Sequence, residues 1–225
     1  MNIKREDIFI ITKIATYNHA DKCYESILKS REDLGLDYID MVLIHWPGVK
    51  GLKLDDQRNF DFRKKTYLEL ERAYNDGIIK SIGVSNYTIR HIQELFSYCS
   101  IKPQLLQCEF HPLLIQRDIV EFCRQNSIIF QAYSSLGTSD PESTRKLVQS
   151  EKITHLAQKY AKTPAQILLK WAIQKNIAVI PKSTSEVHLK DNMNIFDFNL
   201  DELDMLSIDN MNENLHLCWN SETVL

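Results

Sequence analysis

The sequence predicts a parallel α/β fold of the (β/α)₈ barrel type, and three observations carry that expectation. Six apolar runs of strand character alternate with stretches of helical periodicity, the pattern of strand–helix units joined by crossovers. No G-x-G-x-x-G follows any run, so the dinucleotide fingerprint of the competing doubly wound sheet is missing. Each run also delivers polar residues to its carboxyl end, where a barrel builds its active site.

The first run, Asp7–Lys13 (DIFIITK), ends on Lys13. In the second stretch, DMVLIHWPG, Met41 to Ile44 have no polar alternation, as expected of a strand covered on both faces. It hands His45 and Trp46 to the rim before Pro47-Gly48 stops it. Lys80–Val84 leads to Ser85-Asn86, Gln104–Glu109 carries Gln107 and Glu109, Ile128–Tyr133 runs into Ser134, and Ile177–Pro181 reaches Lys182-Ser183. Helical spacing is visible in Tyr24, Ile27, Leu28 and Leu34, in Ile89, Ile92, Leu95 and Phe96, and in Ile115, Ile119, Phe122 and Cys123. The amphipathic stretch Ile153 to Trp171 breaks at Thr163-Pro164, with Thr163 the expected N-cap and Pro164 the first helical residue. Acidic residues at Asp201–Asp204 suit the start of the last helix. Six units are two short of eight, and a barrel takes ~250 residues. Two units of roughly 30 residues each are therefore expected before Met1, which makes residues 1–225 one domain, incomplete at its N terminus.

Composition narrows the function class. The 225 residues are 44% hydrophobic and 25% charged with a net charge of −3, which argues against a nucleic-acid or membrane partner. Five scattered cysteines without C-x-x-C suit free thiols in a reducing cytoplasm, and Cys108 reads as a buried, inert one. Arg63-Lys64-Lys65 is expected to be a solvated helix face, and His111-Pro112 a structural strand exit. His19, His91, His155 and His216 lack metal-ligand spacing and are expected at the surface.

The stretches IITK, LGLDYIDMVLIHWPG, GIIKSIGVSNY, QCEFHP, AYSSLG, TPAQILLKWA and IPKSTSEVHLKDN together resemble the aldo-keto reductase family, in the family's order and over nearly the whole chain. The resemblance implies a barrel that reduces aldehydes and ketones to alcohols with NADPH, bound extended and without a Rossmann motif. It implies Lys13 and His45 as catalytic residues, with His45 and Trp46 also lining the pocket for a small carbonyl substrate. Ser85, Asn86 and Gln107 would hydrogen-bond the nicotinamide carboxamide, and Tyr133 would stack on its ring. Ser134, Leu136, Ser139 and Asp140 would follow the pyrophosphate. Lys182, Ser183 and Ser185 would meet the 2′-phosphate, and Asp191 and Asn192 the adenine. The arginine usual in the phosphate site is His188, which implies weaker, pH-sensitive phosphate recognition and admits NADH.

The family's other two catalytic residues, an aspartate and a tyrosine, belong to a motif upstream of this lysine. No tyrosine precedes Lys13, and Tyr17, on the adjacent loop, is expected to point elsewhere. The expected activity is carbonyl reduction by a full-length, monomeric enzyme. The alternatives are a catalytically impaired isoform acting as a cofactor-binding or regulatory module, and a barrel hydrolase built on Glu109 and a second carboxylate.

Overall fold

Strand β1 (Ile11–Ile14) lies parallel to β2 (Met41–Ile44) in the computed structural model, which describes residues 3–225. All four residues of β2 are buried, as their unbroken apolar run requires. The six strands form one parallel sheet in the order of the chain. By contact density the chain divides into two units: residues 1–107, 125–128 and 220–225, and residues 108–124 and 129–219.

In the first unit, helix α1 (Cys23–Asp33) connects β1 to β2, and α2 (Arg58–Asn75) connects β2 to β3 (Ile82–Ser85). Helix α3 (Ile89–Phe96) then leads to β4 (Leu105–Glu109). Ile14 aligns with Ile44, and Ser85 with Gln107, so the strand ends fall on one level. Gly83 makes the close pairing possible, because a Cβ there would lie 2.5 Å from Leu43 Cδ2 and 2.7 Å from the Leu105 carbonyl. Along α2, Asn59, Arg63, Thr66, Tyr67 and Leu70 form the buried face at helical spacing.

The second unit contains α4 (Arg117–Gln125), β5 (Ile129–Tyr133), α5 (Pro141–Lys146), α6 (Glu151–Tyr160), α7 (Pro164–Gln174), β6 (Ala178–Val179), α8 (Glu186–Met193) and α9 (Glu202–Asp209). Thr163 caps α7 by accepting from Gln166 N, as the sequence predicts, and the expected acidic start of α9 also supplies its cap, Asp201, which accepts from Asp204 N. Trp171 of α7 stacks on Phe110 at 5.0 Å and donates its indole N–H to Asp209 at 2.8 Å, so the buried ring has both an apolar and a polar partner.

Several expectations need correction. β1 begins at Ile11 and not at Asp7, because Arg5–Asp7 forms a 3₁₀ turn and the register with β2 starts at Met41. β6 keeps two of the five expected residues; it pairs with β5 and ends the sheet, so one row of its backbone groups lacks a ladder. Arg63 is fully buried, whereas its neighbours Lys64 and Lys65 are exposed. His19 and His91 are buried and His216 is half-buried, which leaves His155 as the exposed member of the four.

Candidate active site

In the first unit, Lys13, His45, Ser85 and Asn86 lie at the carboxyl ends of β1 to β3, and Gln107, in the middle of β4, is level with Ser85. His45 follows β2 directly, and its N–H donates to the Ile14 carbonyl at 3.1 Å, continuing the ladder and fixing the residue beside β1. Lys13 is half-buried, and burial lowers its pKa. His45 is open to solvent on one side, yet desolvation and then the Lys13 charge lower its pKa. At neutral pH its ring is therefore neutral and can donate one hydrogen bond to a carbonyl oxygen. Trp46 is half-buried beside it.

Asn86 ties these strand ends together. Its φ of 62° is left-handed, a region asparagine tolerates better than most residues. Its N–H donates to the Gln107 carbonyl at 2.9 Å, and its side-chain amide donates to the His45 carbonyl at 2.9 Å and to Ser85 Oγ at 3.2 Å. Ser85 and Gln107 are almost fully buried, at 1% and 3% exposure. Neither Ser85 nor Asn86 caps α3; Thr88 does, accepting from His91 N. Tyr17 is 61% exposed, with its ring 5.8 Å from the Lys50 ammonium, and so is directed away from any role beside Lys13.

In the second unit, Tyr133 ends β5 and is half-buried, and its phenol pKa is raised, first by burial and then by Cys218, Glu109 and Cys108. Ser134 has a left-handed φ of 54°, and its hydroxyl lies 3.5 Å from Cys218 Sγ. Leu136 is half-buried and Ser139 exposed. The Asp140 carboxylate caps α5, accepting from Ser143 N at 2.9 Å, while its own N–H donates to Thr138 Oγ1 at 3.2 Å and its carbonyl accepts from Ser143 Oγ at 2.8 Å. Beyond β6, Ser185 N donates to Ser183 Oγ at 3.0 Å, and Ser185 caps α8 by accepting from His188 N. Lys182 and His188 are exposed, Asp191 is half-buried and Asn192 is 9% exposed.

The sequence reading missed how Glu109 is used. Its carboxylate is 2% exposed and accepts from His111 Nε2 at 2.9 Å, Leu217 N at 2.7 Å and Cys218 N at 3.2 Å. Burial pushes its pKa up, but these donors outweigh burial and hold it below the usual value. A carboxylate so fully engaged is a clamp on residues 217–218, which removes the basis of the hydrolase reading. Among the described residues no group of histidines, cysteines and carboxylates could hold a metal ion.

A parallel sheet of strand–helix units that carries polar side chains at its carboxyl-end level has the α/β architecture in which such ends form the site. The chain belongs to the aldo/keto reductase family, whose profile matches residues 2–213. It is 39% identical over 215 residues to the 9,11-endoperoxide prostaglandin H2 reductase of Trypanosoma cruzi, covering 94% of this chain and 70% of that protein. It is 37% identical over 227 residues to the glyoxal reductase of Bacillus subtilis, covering 99% and 75%. Among solved structures, MGS-M4, an aldo-keto reductase from a Medee basin deep-sea metagenome library, superposes with a TM-score of 0.89 at 35% identity, covering 99% of this chain and 78% of that one. A Bombyx mori aldo-keto reductase in complex with NADP superposes with a TM-score of 0.86 at 30% identity, covering 98% and 73%.

Proposed function

We propose that the chain binds NADPH and supports reduction of small aldehydes or ketones to alcohols. One observation carries this reading: Asn86 links the His45 main chain, Ser85 and the Gln107 main chain into one cluster at adjoining strand ends. Hydroxyl and amide groups that both donate and accept suit a carboxamide, which needs both. Ser85, Asn86 and Gln107 would hold the nicotinamide end and Tyr133 would pack on its ring. Ser134, Leu136, Ser139 and Asp140 would follow the pyrophosphate, Lys182, Ser183, Ser185 and His188 the 2′-phosphate, and Asp191 and Asn192 the adenine. NADH is accepted with lower selectivity, because His188 is not a guanidinium fork. The bound cofactor supplies hydride to the carbonyl carbon. His45 orients the carbonyl oxygen with its N–H, and the half-buried Lys13 ammonium, more acidic than a free lysine, polarises it.

The six strand–helix units correspond in this reading to six of a barrel's eight, and the family's tyrosine acid is not among residues 1–12. A second reading keeps the same residues in a cofactor-binding or regulatory module with impaired turnover. The free thiols support a cytoplasmic setting, and among the described residues no helix is long and apolar enough to cross a membrane.

Titrating the purified chain with NADPH by fluorescence, with and without Ser85→Ala, tests the reading. Saturable binding weakened several-fold by the substitution supports it. No binding at millimolar NADPH overturns both versions. NADPH oxidation with an aromatic aldehyde then separates enzyme from module.

A further inference from the structure

Val224 occupies a buried, cationic socket in the first unit, and Leu225, 41% exposed, follows it. Val224 is fully buried, and its carbonyl accepts from His91 Nε2 at 2.8 Å and from Arg90. Leu225 donates its N–H to the Leu54 carbonyl at 2.8 Å, and its carbonyl accepts from Arg63 Nη1 at 2.6 Å. The same nitrogen donates to the Pro47 carbonyl at 3.1 Å, two residues beyond His45. Glu94 grips the other edge of the guanidinium with both oxygens, at 2.9 and 2.8 Å.

These contacts reach both loops of the candidate site. A buried guanidinium is costly unless its donors are matched, and here one Nη1 spans two separate main-chain carbonyls while Nε and Nη2 meet the carboxylate. Only a planar fork does this; a lysine at the same place cannot satisfy all three. His91 makes the second link. Its Nδ1 accepts from Thr88 N at 3.1 Å while its Nε2 donates to Val224, so hydrogen bonding assigns the neutral Nε2–H tautomer. Thr88 follows Asn86 by two residues, and the intervening Tyr87 ring meets the His91 ring edge-on at 5.6 Å. Gly48 completes the packing: a Cβ there would lie 3.1 Å from Trp46 Nε1 and 3.4 Å from Val224 Cγ1.

We propose that residues 220–225 form a strap that sets the His45–Gly48 loop through Arg63 and the Ser85–Thr88 loop through His91. Arg63 and His91 are thereby positioning residues for the nicotinamide end of the cofactor. The cofactor part of this proposal rests on the function proposed above; the strap itself rests on the contacts.

The test uses the full chain, a form lacking Val224 and Leu225, Arg63→Lys, and the pair His91→Phe and His91→Gln. Hydrogen exchange by mass spectrometry is followed segment by segment, with fluorescence titrations of NADPH and of adenosine 2′-phosphate. Removing the two residues should raise exchange about tenfold in segments 45–50 and 85–91 while β2 and β5 stay protected. NADPH affinity should fall five- to tenfold, with adenosine 2′-phosphate unchanged. His91→Gln, which keeps a donor for Val224, should restore both readouts, and His91→Phe should not. An even rise across the chain, or no rise in the two segments, overturns the strap. Raised exchange with unchanged NADPH affinity overturns the positioning role. A wild-type chain that fails to bind NADPH while exchange responds as expected overturns the proposed function and leaves the strap standing.

Discussion

The candidate site residues of the two units differ in how they are held. At the strand ends of the first unit, Ser85 and Gln107 are buried and Asn86 is fixed by main-chain and side-chain hydrogen bonds. Around the start of α8 in the second unit, Lys182 and His188 are exposed, and the hydroxyls of Ser183 and Ser185 bond to groups of their own turn. Buried, matched polar groups act in a low-dielectric setting and need little reorganisation when a ligand arrives. Exposed groups must be ordered by the ligand, and their charges are screened. Under the proposed function, the difference would give geometric precision to the nicotinamide end and a weaker, salt-sensitive grip to the phosphate end.

The largest effect expected concerns turnover. Residues 1–12 hold no tyrosine, so residues 1–225 expressed alone should reduce an aromatic aldehyde ~10²–10⁴-fold more slowly than a reductase with a positioned acid. Steady-state NADPH oxidation checks this; ordinary enzyme turnover would show that the first unit holds a donor of another kind.

Acid should separate the units next. His19 and His91 have pKa values lowered to about 4, first by burial, with Arg63 adding to the effect. A depressed histidine contributes stability that is full above its unfolded value of 6.5 and is lost as pH falls through about 4. The contribution is on the order of 1–3 kcal/mol for each. Glu109, also depressed, contributes stability that is full above 4.5 and is lost only below that. Limited proteolysis at pH 7, 5.5 and 4 should therefore open the first unit before the second. Simultaneous opening would break the comparison.

The smallest effect sharpens the account of the phosphate end. His188→Arg should tighten NADPH binding several-fold and leave NADH nearly unchanged. With His188 in place, NADPH affinity should fall between pH 6 and pH 8 as the imidazole loses its charge, and NADH affinity should not. Equal pH dependence for the two cofactors would remove His188 from the phosphate site.

What the sequence made legible follows from burial on both faces. β2 was readable because its four residues are all apolar, and the α7 cap because Thr163-Pro164-x-Gln166 is a local signal. Arg63 was hidden by Lys64 and Lys65, yet it occupies the i+4 position after buried Asn59 and the i−4 position before buried Tyr67. Following the buried stripe would have found it; counting charges could not. His91 sits three residues after Thr88, where a capping box normally has Glu or Gln, and that substitution was its only signal. The Glu109 clamp depends on residues 108 and 109 positions away, a pairing that no local pattern encodes.

The claim that the buried amide cluster reads the nicotinamide is tested most directly by isothermal titration of wild type and Gln107→Ala with NADPH and with 2′,5′-ADP. Gln107→Ala should weaken NADPH about tenfold, the ~1.4 kcal/mol of one lost hydrogen bond in a buried site, and leave 2′,5′-ADP binding unchanged. Equal losses for both ligands, or none for NADPH, would contradict it.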